Sequence, residues 1–240
     1  MIHCYRGDNL MLGKNPVRPQ DLTDGQNLWI QSVFYTLQGE GPFTGKPALF
    51  VRLAGCNLKC FWCDTDFESS QWHPSLDELF ERIHAERPEH CSLVIITGGE
   101  PFRQNIAPLV ERLLKCNLSV QIETNGTLWV DLPVDPNLHI VCSPKSSYIH
   151  EKLLPRITTF KYVIGSDDID ATDGLPNQST QSANVPARIA RPPLGSEIYV
   201  MPLDAGEAAQ NELNKNVCVD VAMRFGYRLT LQSHKLLNID

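Results

Sequence analysis

Cys56, Cys60 and Cys63 lie in the run Gly55-Cys56-Asn57-Leu58-Lys59-Cys60-Phe61-Trp62-Cys63, three thiols within eight residues and directly after an apolar stretch. So dense a set of soft ligands marks a metal loop, with Gly55 relaxing its entry turn. Three thiolates fill three of the four corners of a cubane [4Fe-4S] cluster and leave one iron open to an exogenous ligand. A structural zinc site would want a fourth Cys or His nearby, and the closest histidine, His73, lies ten residues beyond Cys63. A zinc-stabilised binding module is the alternative from another class.

Two further groups suit chemistry beside such a loop. In Thr97-Gly98-Gly99-Glu100-Pro101, two glycines and a carboxylate after an apolar run can approach and neutralise a ligand ammonium. Arg52 sits inside an apolar run four residues before Cys56, which favours burial near the site over an exposed strand-end charge.

The elements that must position these groups are legible as apolar runs. Strands are predicted over 28–35, 48–53, 93–96, 118–122, 138–142, 159–164, 197–200 and 228–231. Ser75, with Glu78 at the capping-box position, opens a predicted helix over 76–87, and 106–116 repeats the pattern. Strands alternating with helices imply a parallel sheet, doubly wound or a barrel. The segments 54–66, 97–101, 123–126 and 143–145 each begin where an apolar run ends, so they collect at the carboxyl edge of that sheet, where α/β folds place their sites. Residues 1–27 and 166–196 lack periodicity and read as excursions from the core, the second an irregular insertion.

Bulk properties restrict the class. At 240 residues and 42% hydrophobic composition the chain can bury one sizeable core, so a single α/β domain is expected. A net charge of −7 argues against nucleic acid as a partner. The absence of an apolar leader or of any stretch long enough to span a bilayer predicts a cytoplasmic protein without a membrane partner. Cys4, Cys91, Cys116, Cys142 and Cys218 are scattered, and core packing is expected for most of them.

The spacing Cys-x3-Cys-x2-Cys, with an aromatic before the third cysteine, resembles the signature of the radical S-adenosylmethionine (SAM) superfamily. The amino and carboxylate groups of SAM suit the open iron, and 97–101 resembles the superfamily's SAM-binding stretch. Thr36 to Gly41, Phe50 to Leu53, Cys63 to Phe67, Glu123 to Gly126, Ser143 to Lys145 and Leu231 to Lys235 look like the 7-carboxy-7-deazaguanine synthases of the queuosine pathway. The similarity runs from about Trp29 to the C-terminus.

That resemblance implies an incomplete (β/α)6 barrel spanning 28–240, with 1–27 as an N-terminal extension, and a lyase that rearranges 6-carboxy-5,6,7,8-tetrahydropterin to 7-carboxy-7-deazaguanine with loss of ammonia. It implies a [4Fe-4S] cluster on Cys56, Cys60 and Cys63, SAM, and Mg2+ at Thr65, which on sequence alone reads as a turn residue. Leu37, Gln38, Gly39, Glu40, Arg52 and Thr97 are implied at the pterin, with the chain-terminal Asp240 as a possible further acceptor and a frayed end as its alternative. Gly99, Ser143, Pro144 and Lys145 are implied at SAM, and Met201, Pro202, Leu203 and Asp204 near its adenine. Glu123 and His234 are candidate catalytic residues facing the substrate, strand-end and core roles being the alternatives. A homodimer and an electron donor such as flavodoxin or ferredoxin follow by the same resemblance. The nearest rival is a radical SAM activase of a glycyl-radical enzyme, which would not need the Gln38, Glu40 and Arg52 set.

Overall fold

The computed structural model describes residues 15–63, 65–181 and 187–239. Each of the eight apolar runs overlaps a strand, with bounds shifted by up to two residues: β1 (Ile30–Leu37), β2 (Pro47–Leu53), β3 (Leu93–Gly98), β4 (Ser119–Thr124), β5 (Leu138–Cys142), β6 (Thr159–Ile164), β7 (Ile198–Pro202) and β8 (Arg228–Leu229). They form one sheet in chain order. β1 runs antiparallel to β2, and every later pairing is parallel. The six parallel strands expected are β2 to β7, and the two-residue β8 extends them. The sheet does not close, because β1 and β8 are its edges. Loops span the gap instead: the Gly41 N–H donates to Thr230 Oγ1 at 2.9 Å and the Ser233 N–H to the Gly39 carbonyl at 3.3 Å.

Helices α1 (Leu76–Glu86), α2 (Ala107–Lys115), α3 (Ala208–Phe225) and α4 (Ser233–Leu237) complete the regular structure. Ser75 and Glu78 form the reciprocal capping box that starts α1, and its buried Leu76, Leu79, Phe80 and Ile83 recur at helical spacing. A helix does not follow every strand. The β4–β5 connection carries Pro133 and Pro136, which deny a helix its backbone donors, and the β5–β6 connection holds only a single 3-10 turn at Leu154–Arg156. Among the described residues no helix is long and apolar enough to cross a membrane.

Strand alternation sorts the side chains onto two faces. Leu49, Val51, Leu53, Val94, Ile96, Val120 and Ile122 pack outward with the buried residues of α1 and α2. Ala48, Phe50, Leu93 and Ile95 fill the inner face at its amino end. Continuing the same alternation toward the carboxyl ends gives Arg52 on β2, Thr97 on β3, Glu123 on β4 and Lys161 on β6. Each fully buried Leu or Ile side chain contributes about 1.5–3 kcal/mol, so the outer face holds the sheet while the inner face turns polar where the strands end.

The two excursions are tied to the core more closely than their composition suggested. In the first, the Arg18 N–H donates to the Cys56 carbonyl at 2.7 Å, and Gln20 Nε2 donates to the carbonyls of Phe102 and Trp129 at 2.8 and 2.9 Å. In the second, Arg191 pairs with Asp173 at 2.7 Å and Arg188 with Asp170 at 2.8 Å, over the buried Leu175 and Ile189. Cys4 and residues 1–14 and 182–186 lie outside the described residues.

Candidate active site

One cavity of about 860 Å³ opens at the carboxyl ends of the strands, toward the upper end of the range for small-molecule sites. Cys56, Cys60, Cys63 and Thr65 line it from the loop after β2, Arg52 from β2, and Thr97 and Gly99 from the end of β3. Leu37, Gln38, Gly39 and Glu40 line it from the end of β1, Glu123 from β4, and Ser143 and Lys145 from the segment after β5. Met201 on β7 and His234 on α4 complete the set brought together.

The cysteine loop is shaped by backbone. Gly55 has φ +82°, a conformation that suits glycine, and a Cβ on Gly99 would lie 2.2 Å from the Gly55 carbonyl oxygen and 2.8 Å from Cys56 Cβ. The two loops can touch here only because Gly99 has no side chain, while a Cβ on Gly55 would lie 2.5 Å from Arg103 Nε. All three cysteines are free thiols. Burial pushes the Cys56 thiol up to about 12, so its thiolate depends on a cation beside it. Among the described residues no three His, Cys, Asp or Glu side chains converge on one point as a mononuclear ion requires. Three corners of a cubane need no such convergence, since each thiolate binds its own iron, and three free thiols on one wall of a large cavity fit that group.

The same cavity is lined by a charged network. Lys161, 5% exposed, pairs with Glu40 and stands 3.5 Å from Glu123. Glu123 Oε1 accepts from Gln38 Nε2 at 3.0 Å and from Gln121 Nε2 at 2.9 Å, and Glu40 Oε1 accepts from Gln232 Nε2 at 3.2 Å. Burial works to raise the Glu40 carboxyl, yet the Lys161 ammonium prevails and holds it below the ordinary range. Burial likewise opposes the Lys161 charge, and Glu123 and Glu40 outweigh it, raising the amine above its ordinary value. The Glu40 carboxylate is thereby kept ionised at the edge of the cavity.

Arg52 lies with its guanidinium 5.7 Å from the Phe34 ring centroid, also on the cavity wall. Lys145 Nζ is 5.4 Å from the Trp62 ring centroid and donates to the Ser143 carbonyl at 3.1 Å, and burial lowers its pKa. The Thr65 carbonyl accepts from Asn15 Nδ2 at 2.9 Å. His234 is held by its neighbour, since Ser233 Oγ donates to the Gly39 carbonyl at 2.7 Å.

Other predicted residues stand elsewhere. Pro144 is buried and does not line the cavity. Pro202, Leu203 and Asp204 line a small adjoining recess of about 30 Å³ that shares Trp62, Val163, Met201 and Gln232 with the main cavity. The Asp204 carboxylate pairs with Lys235 at 2.8 Å, and the Lys235 hydrogen bond draws its pKa down to about 2. Asp240 lies outside the described residues. The Glu100 carboxylate corrects an expectation. It does not face a ligand but is fully buried, accepting from Thr124 Oγ1 at 2.7 Å, from the Asn125 N–H at 2.7 Å and from the Phe102 N–H at 3.1 Å. Burial nevertheless pushes it up to about 7. Its two oxygens, accepting from Thr124, Asn125 and Phe102, join the ends of β3 and β4. Of the scattered cysteines, Cys91, Cys142 and Cys218 are buried and Cys116 is exposed.

Sequence reasoning missed Lys161, Gln232, Thr180 and Gln181. A lone charge inside the run 159–164 is the signal that had singled out Arg52, and it would have found Lys161. Thr180 and Gln181 carry no such signal, because only the fold of the insertion brings them to Cys60.

Comparison with known proteins gives one direction. Residues 51–136 match the family model of the radical SAM superfamily. The chain is 55% identical to the 7-carboxy-7-deazaguanine synthase of Rhodospirillum rubrum, over 95% of this chain and 100% of that one. It is 38% identical to the protein of the same name from Rickettsia prowazekii, over 100% and 98%. The crystal structure of QueE from Escherichia coli superposes with a TM-score of 0.63 at 28% identity, covering 85% of this chain and 93% of that one.

Proposed function

This chain belongs to the 7-carboxy-7-deazaguanine synthases, which are radical SAM enzymes, and from that membership we propose that it converts 6-carboxy-5,6,7,8-tetrahydropterin to 7-carboxy-7-deazaguanine with loss of ammonia, for queuosine and other 7-deazapurines. The observation that carries this reading is the meeting, in one cavity, of the three thiols with Arg52 and the Glu40–Lys161–Glu123 network. Cys56, Cys60 and Cys63 would hold the cluster, which when bound would supply one-electron reduction of SAM.

The chain's own residues bind and orient. Arg52 is assigned to the substrate carboxylate, which a planar guanidinium grips with two parallel hydrogen bonds. Glu40, kept ionised by Lys161, accepts from the adjacent N–H donors of the pterin's guanine-like edge, and Gln38 fixes the orientation of Glu123 beside it. Thr97 and His234 close the substrate side. Gly99, Ser143 and Lys145 are assigned to SAM, and Met201 to Asp204 meet the adenine through backbone groups, the Asp204 carboxylate being occupied by Lys235. Thr65 offers Mg2+ one hydroxyl, so substrate oxygens and waters must complete that ion. The same reading makes the enzyme a cytoplasmic homodimer reduced by a flavodoxin or ferredoxin.

The test is a single turnover under anaerobic conditions with reconstituted protein, dithionite, SAM and the carboxytetrahydropterin. Mass spectrometry should show 7-carboxy-7-deazaguanine and ammonia in equal amounts. Cleavage of SAM without any change in the pterin would sink the substrate assignment and leave the cluster assignment standing.

A further inference from the structure

The segment Thr180–Gln181, part of the insertion between β6 and β7, lies alongside the cysteine loop. The Phe61 N–H donates to the Thr180 carbonyl at 3.3 Å, and the Lys59 N–H donates to Gln181 Oε1 at 2.8 Å. From the other side the Thr180 N–H and Ser179 Oγ each donate to the Lys145 carbonyl at 3.0 Å. Two side-chain donors then reach one sulfur: Thr180 Oγ1 lies 3.0 Å and Gln181 Nε2 3.2 Å from Cys60 Sγ.

The direction of these contacts is set by the network. Gln181 Oε1 must accept from the Lys59 N–H, so the amide nitrogen faces Cys60, and its two protons serve Cys60 Sγ and Thr180 Oγ1, the latter at 3.0 Å. The Thr180 hydroxyl has one proton and two acceptors, Cys60 Sγ at 3.0 Å and the Lys145 carbonyl at 3.2 Å. A ligating thiolate is the nearer and the more negative. For comparison, Cys56 Sγ accepts from the Leu58 N–H within its own loop at 3.4 Å.

We propose that the insertion sets the reduction potential of the cluster by donating two hydrogen bonds, from Thr180 and Gln181, to the Cys60 thiolate. Reduction by an external one-electron donor adds one negative charge to the cluster and its sulfur ligands, and donors aimed at a ligating sulfur stabilise that added charge. Thr180 and Gln181 are positioning residues in this role, acting through Cys60. The inference rests on the cluster assignment and is independent of the pterin.

The experiment is a dye-mediated redox titration of the anaerobically reconstituted holoprotein followed by electron paramagnetic resonance, with iron and sulfide analysis of every sample. Thr180→Val and Gln181→Met remove one donor each at nearly constant shape, and Thr180→Ser keeps the hydroxyl. Each of the first two should make reduction three- to tenfold less favourable, about 30–60 mV lower for a one-electron couple. The double variant should fall further, and Thr180→Ser should match wild type. Unchanged potentials at full iron content would overturn the proposal, as would loss of the cluster from Thr180→Val, which would make the contact a structural clamp only. Wild-type protein without iron or sulfide would instead overturn the cluster assignment itself.

Discussion

Lys161 Nζ on β6 lies 3.5 Å from Glu123 Oε2 on β4, two strands away, and its other carboxylate partner is Glu40 in the loop after β1. One buried cation thus joins the two ends of the cavity wall. It holds Glu40 ionised where burial alone would favour the neutral acid.

Lys161→Met should therefore leave two partly buried carboxylates without their cation, at a cost of up to about 3–5 kcal/mol. The sign of the pH dependence follows from the two shifts. The raised amine contributes stability that is complete below its ordinary value near 10.4 and is lost above it, while the lowered Glu40 contributes above about 4.3 and loses its share below. The wild-type network is then constant between roughly pH 4.3 and 10.4. In the variant only the Gln232 hydrogen bond and His234 are left to oppose burial at Glu40, so the acid limb of kcat/KM should move toward neutrality. Thermal unfolding and a pH–rate profile check both, and a variant matching wild type in each would remove Lys161 from the site.

Arg52→Lys should raise KM for the pterin far more than it changes SAM binding. An ammonium is a point charge and cannot form two parallel hydrogen bonds to a carboxylate. Losing one charge-assisted bond costs about 1.5–3 kcal/mol, about one to two decades in kcat/KM. Steady-state kinetics with the carboxytetrahydropterin, beside SAM titrations, separate the two effects.

Cys56→Ala, Cys60→Ala and Cys63→Ala should each abolish the cluster's absorption and SAM cleavage, because two thiolates leave two irons unheld. Cys116→Ala, at an exposed position, should change neither. Cys218→Ala should keep both but lose about 1–2 kcal/mol of stability, since Cys218 is fully buried. A full cluster in any variant of the trio contradicts the assignment.

Glu100→Gln should destabilise the protein by about 1–3 kcal/mol, because an amide nitrogen replaces an acceptor of the Thr124, Asn125 and Phe102 donors. The gap should depend on pH. With the folded value raised to about 7, the native state holds a proton that the unfolded chain has released above about 4.3. Wild-type stability then falls relative to the variant as pH rises through that window. Melting curves from pH 5 to 8 should show the two converging, and a gap that widens with pH would contradict the raised value.

The eight strands, the α1 cap and the cysteine loop were legible because each rests on local physics. Alternating burial, a Ser75–Glu78 box and thiol spacing are properties of neighbours in the chain. Arg52 was legible for a related reason, a charge interrupting an apolar run. The missing crossover helices could have been suspected from Pro133 and Pro136, whereas the paths of residues 15–27, 166–181 and 187–196 could not, since single hydrogen bonds and ion pairs hold them.

Thus the chain by itself determined the chemistry available: three thiols at cluster spacing, a glycine-rich strand end and an α/β frame that delivers both to one edge. Only the tertiary structure decided that Glu100 ties β3 to β4 instead of meeting a ligand, that Lys161 neutralises Glu40 and Glu123, and that Gln181 reaches Cys60 from 121 residues away. Composition and periodicity encode which faces are buried, but the partner of a buried charge or of a sulfur is set by where distant segments meet, and that is a property of the folded chain.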